Sequence, residues 1–190
     1  FLLVGSEESV RDRASGHMHP ITPAQMMALA PELKPGHFPA AGLDTTSVGC
    51  DTDALMDYHR RRILDRGARI LTGAPVRSAR REAGGDSNGR WVTEAGEQSI
   101  TSRVVVNAAG AWADELADLY SVRRRGLQPY RRTAAVVDVE HPLADGAPMV
   151  ADADETFYYR ADGNRVLVSP SESVPSAPMD ARPHPGDVAA

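Results

Sequence analysis

The chain has 190 residues, 42% hydrophobic and 25% charged, a globular composition long enough to bury a core in one domain or two small ones. With 21 Lys and Arg against 26 Asp and Glu the net charge is -5, which argues against the basic surface of a general nucleic-acid binder, and no run approaches the ~18 apolar residues of a membrane span. A single cysteine, Cys50, excludes an intramolecular disulfide and a cysteine-based zinc cluster.

The chain opens on the apolar run Phe1-Leu2-Leu3-Val4, with no initiator methionine, basic segment or signal pattern. It reads as an internal piece of a longer, cytoplasmic protein. Lys34 is the only lysine, an arginine bias common in GC-rich bacterial genomes. Phe1 to Val4 has strand composition, and Gly5-Ser6-Glu7-Glu8 reads as a polar turn. Thr22-Pro23-Ala24-Gln25 predicts a helix start, with Thr22 as cap, Pro23 in the first turn and Gln25 completing a capping box; the helix stops at or before Pro31. Residues 31–50, rich in Pro and Gly, read as loop with short extended pieces. A second helix is predicted from about Asp53 to Arg66, with Leu55, Met56, His59 and Ile63 on one face and Gly67 as the stop.

Four strands are expected next: Ala68 to Leu71, Val76 to Arg81, Arg90 to Glu94 and Ser99 to Val106. The turns between the last three fall at Gly84-Gly85-Asp86-Ser87-Asn88-Gly89 and Ala95-Gly96-Glu97. The continuous run Val104-Val105-Val106 suits a strand buried on both faces. A helix follows over Ala111 to Tyr120, with Trp112, Leu116 and Leu119 at helical spacing. Further strands are read at Ala134 to Val139, Phe157 to Arg160 and Arg165 to Ser169, the last two joined by a hairpin turn at Asp162-Gly163-Asn164.

The strongest local signal is VVVNAAGAW, residues 104–112. An apolar strand delivers the backbone to a turn of tiny side chains and then to a helix, so that another backbone or a flat cofactor can approach closely. A plain strand-turn-helix packed on a neighbour uses the same residues. Preceded by GARILTGAPVRSAR, this segment resembles FAD-dependent oxidoreductases of the glycine/D-amino-acid oxidase type. The order of motifs is similar too: a "GA-x-(I/V)" strand, a three-stranded meander, then "(V/I)-V-N-A-(A/T)-G-x-W". Cys50-Asp51-Thr52-Asp53-Ala54-Leu55 resembles the start of the family's preceding helix, with Thr52 where proline is usual. FYYRADGNRVLVSPSES resembles its later hairpin, with Ala161 where proline often stands. The family's G-x-G-x-x-G strand–helix element is absent from this sequence, as is the family's C-terminal glycine-rich stretch.

The resemblance implies an α+β fold. Residues 51–120 would be the latter part of a Rossmann-like FAD-binding domain with a three-stranded meander. Residues 1–50 and 121–190 would belong to a substrate domain with a mixed or antiparallel sheet. It implies oxidation of the C–N or C–O bond of a small amino or 2-hydroxy acid, hydride passing to FAD and leaving an imino or keto acid. The backbone of Val76 would contact the adenine end of FAD. Ala108, Ala109 and Gly110 would pass close to the cofactor, and Trp112 would pack at the helix start. Tyr158, with Arg160 on the same strand face, would hold a substrate carboxylate, while Tyr159 points the other way. Ordinary inward strand residues, a cross-strand aromatic and a surface charge are the competing readings.

With the glycine loop missing, the isolated chain is expected to carry no tightly bound FAD, and Val104 to Val106, short of sheet neighbours, to drive self-association. The alternative function is a non-catalytic binding or scaffold domain. Other candidates weigh less. His17-x-His19 lacks matching metal ligands, and Asp51-x-Asp53 suits helix capping. Asp152-x-Asp154-Glu155 suits a solvated loop, and the arginines at 123–125 and 131–132 a surface stripe. Cys50 reads as a lone buried thiol. No metal is expected.

Overall fold

The computed structural model describes residues 1–82, 89–180, 182 and 186; the turn read at Gly84 to Gly89 lies, but for Gly89, outside them. In chain order the elements are β1 (Leu2–Gly5), α1 (Glu7–Arg13), β2 (His19–Ile21), α2 (Pro23–Leu29), β3 (Ala40–Leu43) and α3 (Thr52–Asp65). There follow β4 (Val76–Glu82), β5 (Arg90–Ala95), β6 (Gln98–Ser102), a 3-10 turn (Gly110–Trp112) and α4 (Ala113–Leu119). The last strands are β7 (Tyr130–Arg131), β8 (Ala135–Asp138), β9 (Val150–Asp152), β10 (Tyr158–Asp162), β11 (Arg165–Ser169) and β12 (Val174–Pro175). The fold is α+β, as read from the resemblance, and it divides into two compact units. One holds residues 1–49 and 130–175 with the described residues from 180 on, the other 50–129 with 176–179.

The first unit is built on a mixed seven-stranded sheet in the order β2-β3-β1-β9-β10-β11-β8. Only β1 and β9 run parallel; the other neighbours are antiparallel. The interior strand β1, between β3 and β9, is buried throughout, and its alternation feeds two cores. Leu2 and Val4, with Val150 and Ala41, pack against Met26 and Ala30 of the α2 segment and Leu33 beyond it. Leu3 packs on the opposite side with Val10 of α1 and Ala153.

The Thr22 helix is as expected: the Thr22 hydroxyl accepts from the Gln25 N–H, Gln25 reaches back to the Thr22 N–H, and the helix ends one residue short of its Ala30 cap. The polar stretch read as a turn at residues 5–8 instead opens α1. Ser6 caps it by accepting from the Ser9 N–H at 3.0 Å. Glu7 and Glu8 lie in its first turn and Arg11 and Arg13 toward its end, each sign matched to the helix dipole. The β10–β11 hairpin turns at Gly163, whose φ of 62° occupies the first loop position in the manner of a type II′ turn.

In the second unit β4, β5 and β6 form the expected antiparallel meander. α3 starts where the sequence placed it, the Asp51 carboxylate accepting from the Ala54 N–H at 2.9 Å. Among the described residues nothing covers its apolar face: α3 buries no residue. Two expected strands are corrected. No described strand lies along residues 68–71 or 104–106, and Val104 and Val106 are 75% and 81% exposed. An apolar run signals a demand for burial, but a strand also needs a neighbour to complete its ladder. Cys50 is exposed, not buried. Among the described residues no helix is long and apolar enough to cross a membrane, and no His, Cys, Asp and Glu group could hold a metal.

Candidate functional site

The small-residue turn of the second unit is organised by Asn107. Its Nδ2 donates to the Ala113 carbonyl at 2.8 Å, and its Oδ1 accepts from the Ala109 N–H at 3.2 Å, an Asx turn that presents the helix start. Gly110 takes φ 55°, and among the described residues nothing lies within 4 Å of where its Cβ would stand. Ala108 is exposed and Ala109 half-buried. The Trp112 N–H donates to the Ala109 carbonyl at 3.0 Å, and Trp112 is 41% exposed. Among the described residues, this stretch of backbone has little side-chain cover.

Val76 begins β4, an edge strand of the meander, opposite Ala95 and just before a register shift at Arg77. An edge strand leaves alternate N–H and C=O groups unpaired, which suits a contact through backbone. The meander is tied to the α4 end by polar and aromatic contacts. Thr93 and Tyr120 share a buried hydroxyl–hydroxyl bond of 2.7 Å, and Trp91 meets the Tyr120 ring edge-on at 5.2 Å.

Asp114, which sequence reasoning passed over, holds the neighbouring loop. Its carboxylate accepts from the N–H groups of Arg125, Gly126 and Leu127 at 2.8, 2.8 and 2.9 Å. The Arg125 N–H above all keeps the carboxyl below the usual carboxylate range. Gly126, with φ 75°, lets three successive N–H groups converge. The available signal was an acidic residue in a helix first turn followed, one helix later, by a glycine among arginines. Asp118 pairs with Arg124 beside it.

In the first unit Tyr158 and Arg160 share one face of β10. Tyr158 stands half-buried between Ser169 and Ala151. Arg160 is exposed, donates to the Ala161 carbonyl at 3.0 Å, and lines an open cleft of about 580 Å³ with Leu29, Leu43, Asp44 and Met149. The Asp44 carboxylate accepts from the N–H and hydroxyl of Thr46 and from the Ser47 hydroxyl. Those bonds, the Thr46 hydroxyl first, hold it well below the usual range. Tyr159 turns to the opposite face, against the core of Leu2 and Val4. Its hydroxyl donates to Glu32 at 2.5 Å and its ring stacks on Phe157 at 6.2 Å. Burial first, then the Glu32 carboxylate, push the phenol's ionisation far up.

Residues 4–190 match the family described as FAD dependent oxidoreductase, DAO. Over 110 residues the chain is 28% identical to human mitochondrial dimethylglycine dehydrogenase, an alignment covering 56% of this chain and 12% of that protein. The structure superposes on L-proline dehydrogenase from P. horikoshii with a TM-score of 0.79 at 18% identity, over 99% of this chain and 52% of that one. Iminodiacetate oxidase from Chelativorans sp. BNC1 gives 0.66 at 17% identity, with the same coverage. At these identities the structural likeness is one of fold, and the chain spans about half the length of the solved relatives. Because the family match takes in residues 4–190, nearly all of this chain, the chain belongs to the FAD-dependent oxidoreductases of the DAO type.

Proposed function

We propose that the chain is part of an enzyme that oxidises the C–N bond of a small amino acid with FAD. The observation that carries this reading is the chemistry shared by its relatives. Dimethylglycine, proline and iminodiacetate, the compounds in their names, are all amines bearing a carboxylate. In this reading residues 51–120 belong to the cofactor-binding part, and residues 1–50 with 121–190 to the substrate part.

The residues present suit pieces of FAD. The uncovered turn Ala108-Ala109-Gly110 admits a flat group, with Trp112 at its flank, and the open edge of β4 at Val76 suits a backbone contact. The sequence holds no G-x-G-x-x-G element to set a helix N-terminus against the pyrophosphate, so this chain by itself should hold FAD weakly. When bound, FAD supplies the electron acceptor for the oxidation. The protein's part is to orient the substrate: the Tyr158 hydroxyl donates to its carboxylate, with Arg160 adding positive charge from the same face.

The test uses the flavin-loaded enzyme that contains this chain. Hydrogen bonds to charged groups are worth roughly 1.5–3 kcal/mol, so Tyr158→Phe should raise KM for its amino acid by about 10–150-fold and leave Tm almost unchanged. Tyr159→Phe should lower Tm and leave KM alone. If Tyr159→Phe moves KM and Tyr158→Phe does not, the carboxylate is held from the other face. A 2-hydroxy acid turned over faster than any amino acid would overturn the C–N assignment.

A further inference from the structure

The edges of the described sheets are unequally protected. β2 carries Pro20 in its centre. β4 is broken by a register shift and carries Arg77, Arg80 and Arg81. β6 is Gln98, Ser99, Thr101 and Ser102 around one isoleucine. Proline, bulges, charge and polarity are the devices that stop an edge from recruiting another strand. β8 has almost none of them. It ends the seven-stranded sheet and reads Ala135-Val136-Val137-Asp138. β11 pairs with one side of it, and among the described residues none hydrogen-bonds the other. Val136 and Val137, which point to opposite faces, are 44% and 39% exposed.

The charges around β8 are polarised along the strand. Arg132 precedes it, its Nε donating to the Glu172 carbonyl at 3.2 Å, while Asp138 and Glu140 close it. A parallel partner strand of the same sequence would set arginine beside arginine and acid beside acid, which is destabilising. An antiparallel one, about a two-fold axis at Ala135 or Val136, sets Arg132 of each copy beside Asp138 or Glu140 of the other. A two-fold contact of this kind closes on itself and does not propagate.

We propose that β8 pairs antiparallel with β8 of a second copy of this chain, joining two seven-stranded sheets into one across a two-fold axis. Self-association expected at Val104–Val106 is thereby assigned to a different segment, because residues 104–106 form no strand.

Sedimentation equilibrium of the chain, read over a concentration series, tests this. Wild type should fit a monomer–dimer equilibrium. Val136→Lys/Val137→Lys, which keeps the backbone bonds to β11 and places like charges at the axis, should raise the dissociation constant about tenfold or more. Ile100→Lys on the β6 edge should leave it unchanged. Hydrogen exchange gives a readout without mutation: protection of the amides of residues 135–138 should rise with protein concentration. A wild type that stays monomeric, a species larger than a dimer, dimerisation undiminished in a lysine variant with native circular dichroism, or concentration-independent exchange at 135–138 would each overturn the proposal.

Discussion

The two units put apolar residues to different use. In the first, Leu2, Val4 and Val150 are fully buried and Met26 is 1% exposed, so a sheet and two short helices make a core by themselves. In the second, Met56 is 70% exposed and Val104 and Val106 more so, and the joins are largely polar: Asn107 spans its turn, Asp114 holds a loop by three N–H groups, and Thr93 bonds Tyr120. Apolar periodicity tells where a surface wants cover. Whether the cover comes from the same unit is a separate matter, answered by which backbone edges and helix faces find partners.

The largest effect that could break this contrast is a pair of truncations. Met26→Ala should cost about 2–5 kcal/mol in urea unfolding, as buried Met to Ala changes do. Met56→Ala should stay within about 0.5 kcal/mol, as an exposed site does. Equal costs would erase the distinction.

Next in size is the buried polar join of the second unit. Tyr120→Phe leaves the Thr93 hydroxyl unpaired in a site where both residues are 8% exposed, and should cost about 1–3 kcal/mol. Thr93→Val in the same background should recover part of that loss.

A smaller effect separates the tyrosines. Of the five in the chain, Tyr159 should fail to show its phenolate band while the fold persists, since its ionisation is raised by burial and Glu32. A raised folded value means that its contribution is whole below the ordinary phenol value of ~10 and is lost only as pH climbs toward the folded one. Alkaline titration of Tyr159→Phe should lack this delayed fraction and keep the rest.

The smallest concerns Asp114. Its carboxyl is held low, so the bonds to Arg125–Leu127 should be intact above the ordinary carboxylate value of ~3.9 and be lost as pH falls through the lower folded value. The amide resonances of residues 125–127 should hold steady through that ordinary value and shift below it. Asp114→Asn should shift them at neutral pH.

Much of this was legible in the residues. Thr22-Pro23-Ala24-Gln25 carries its own capping chemistry, the meander is written in alternation and turns, and Asp162-Gly163-Asn164 marks its hairpin, because each is a local device. α1 was hidden because Ser6, Glu7 and Glu8 serve a helix start as well as a polar turn. Val104 to Val106 misled for a different reason: three valines state a preference for burial and say nothing of the strand that must lie alongside. Of the site, Asn107 and the tiny residues after it are visible as a turn. The Asp114 bonds reach 11 to 13 residues along the chain and depend on a glycine conformation that composition does not announce.

The most direct test of the central claim is to titrate this chain with FAD and follow its backbone amide resonances. The expected result is weak, saturable shifts concentrated at residues 107–112 and around Val76, with no flavin retained after gel filtration. Saturation with no movement at 107–112, or stoichiometric flavin carried through purification, would contradict it.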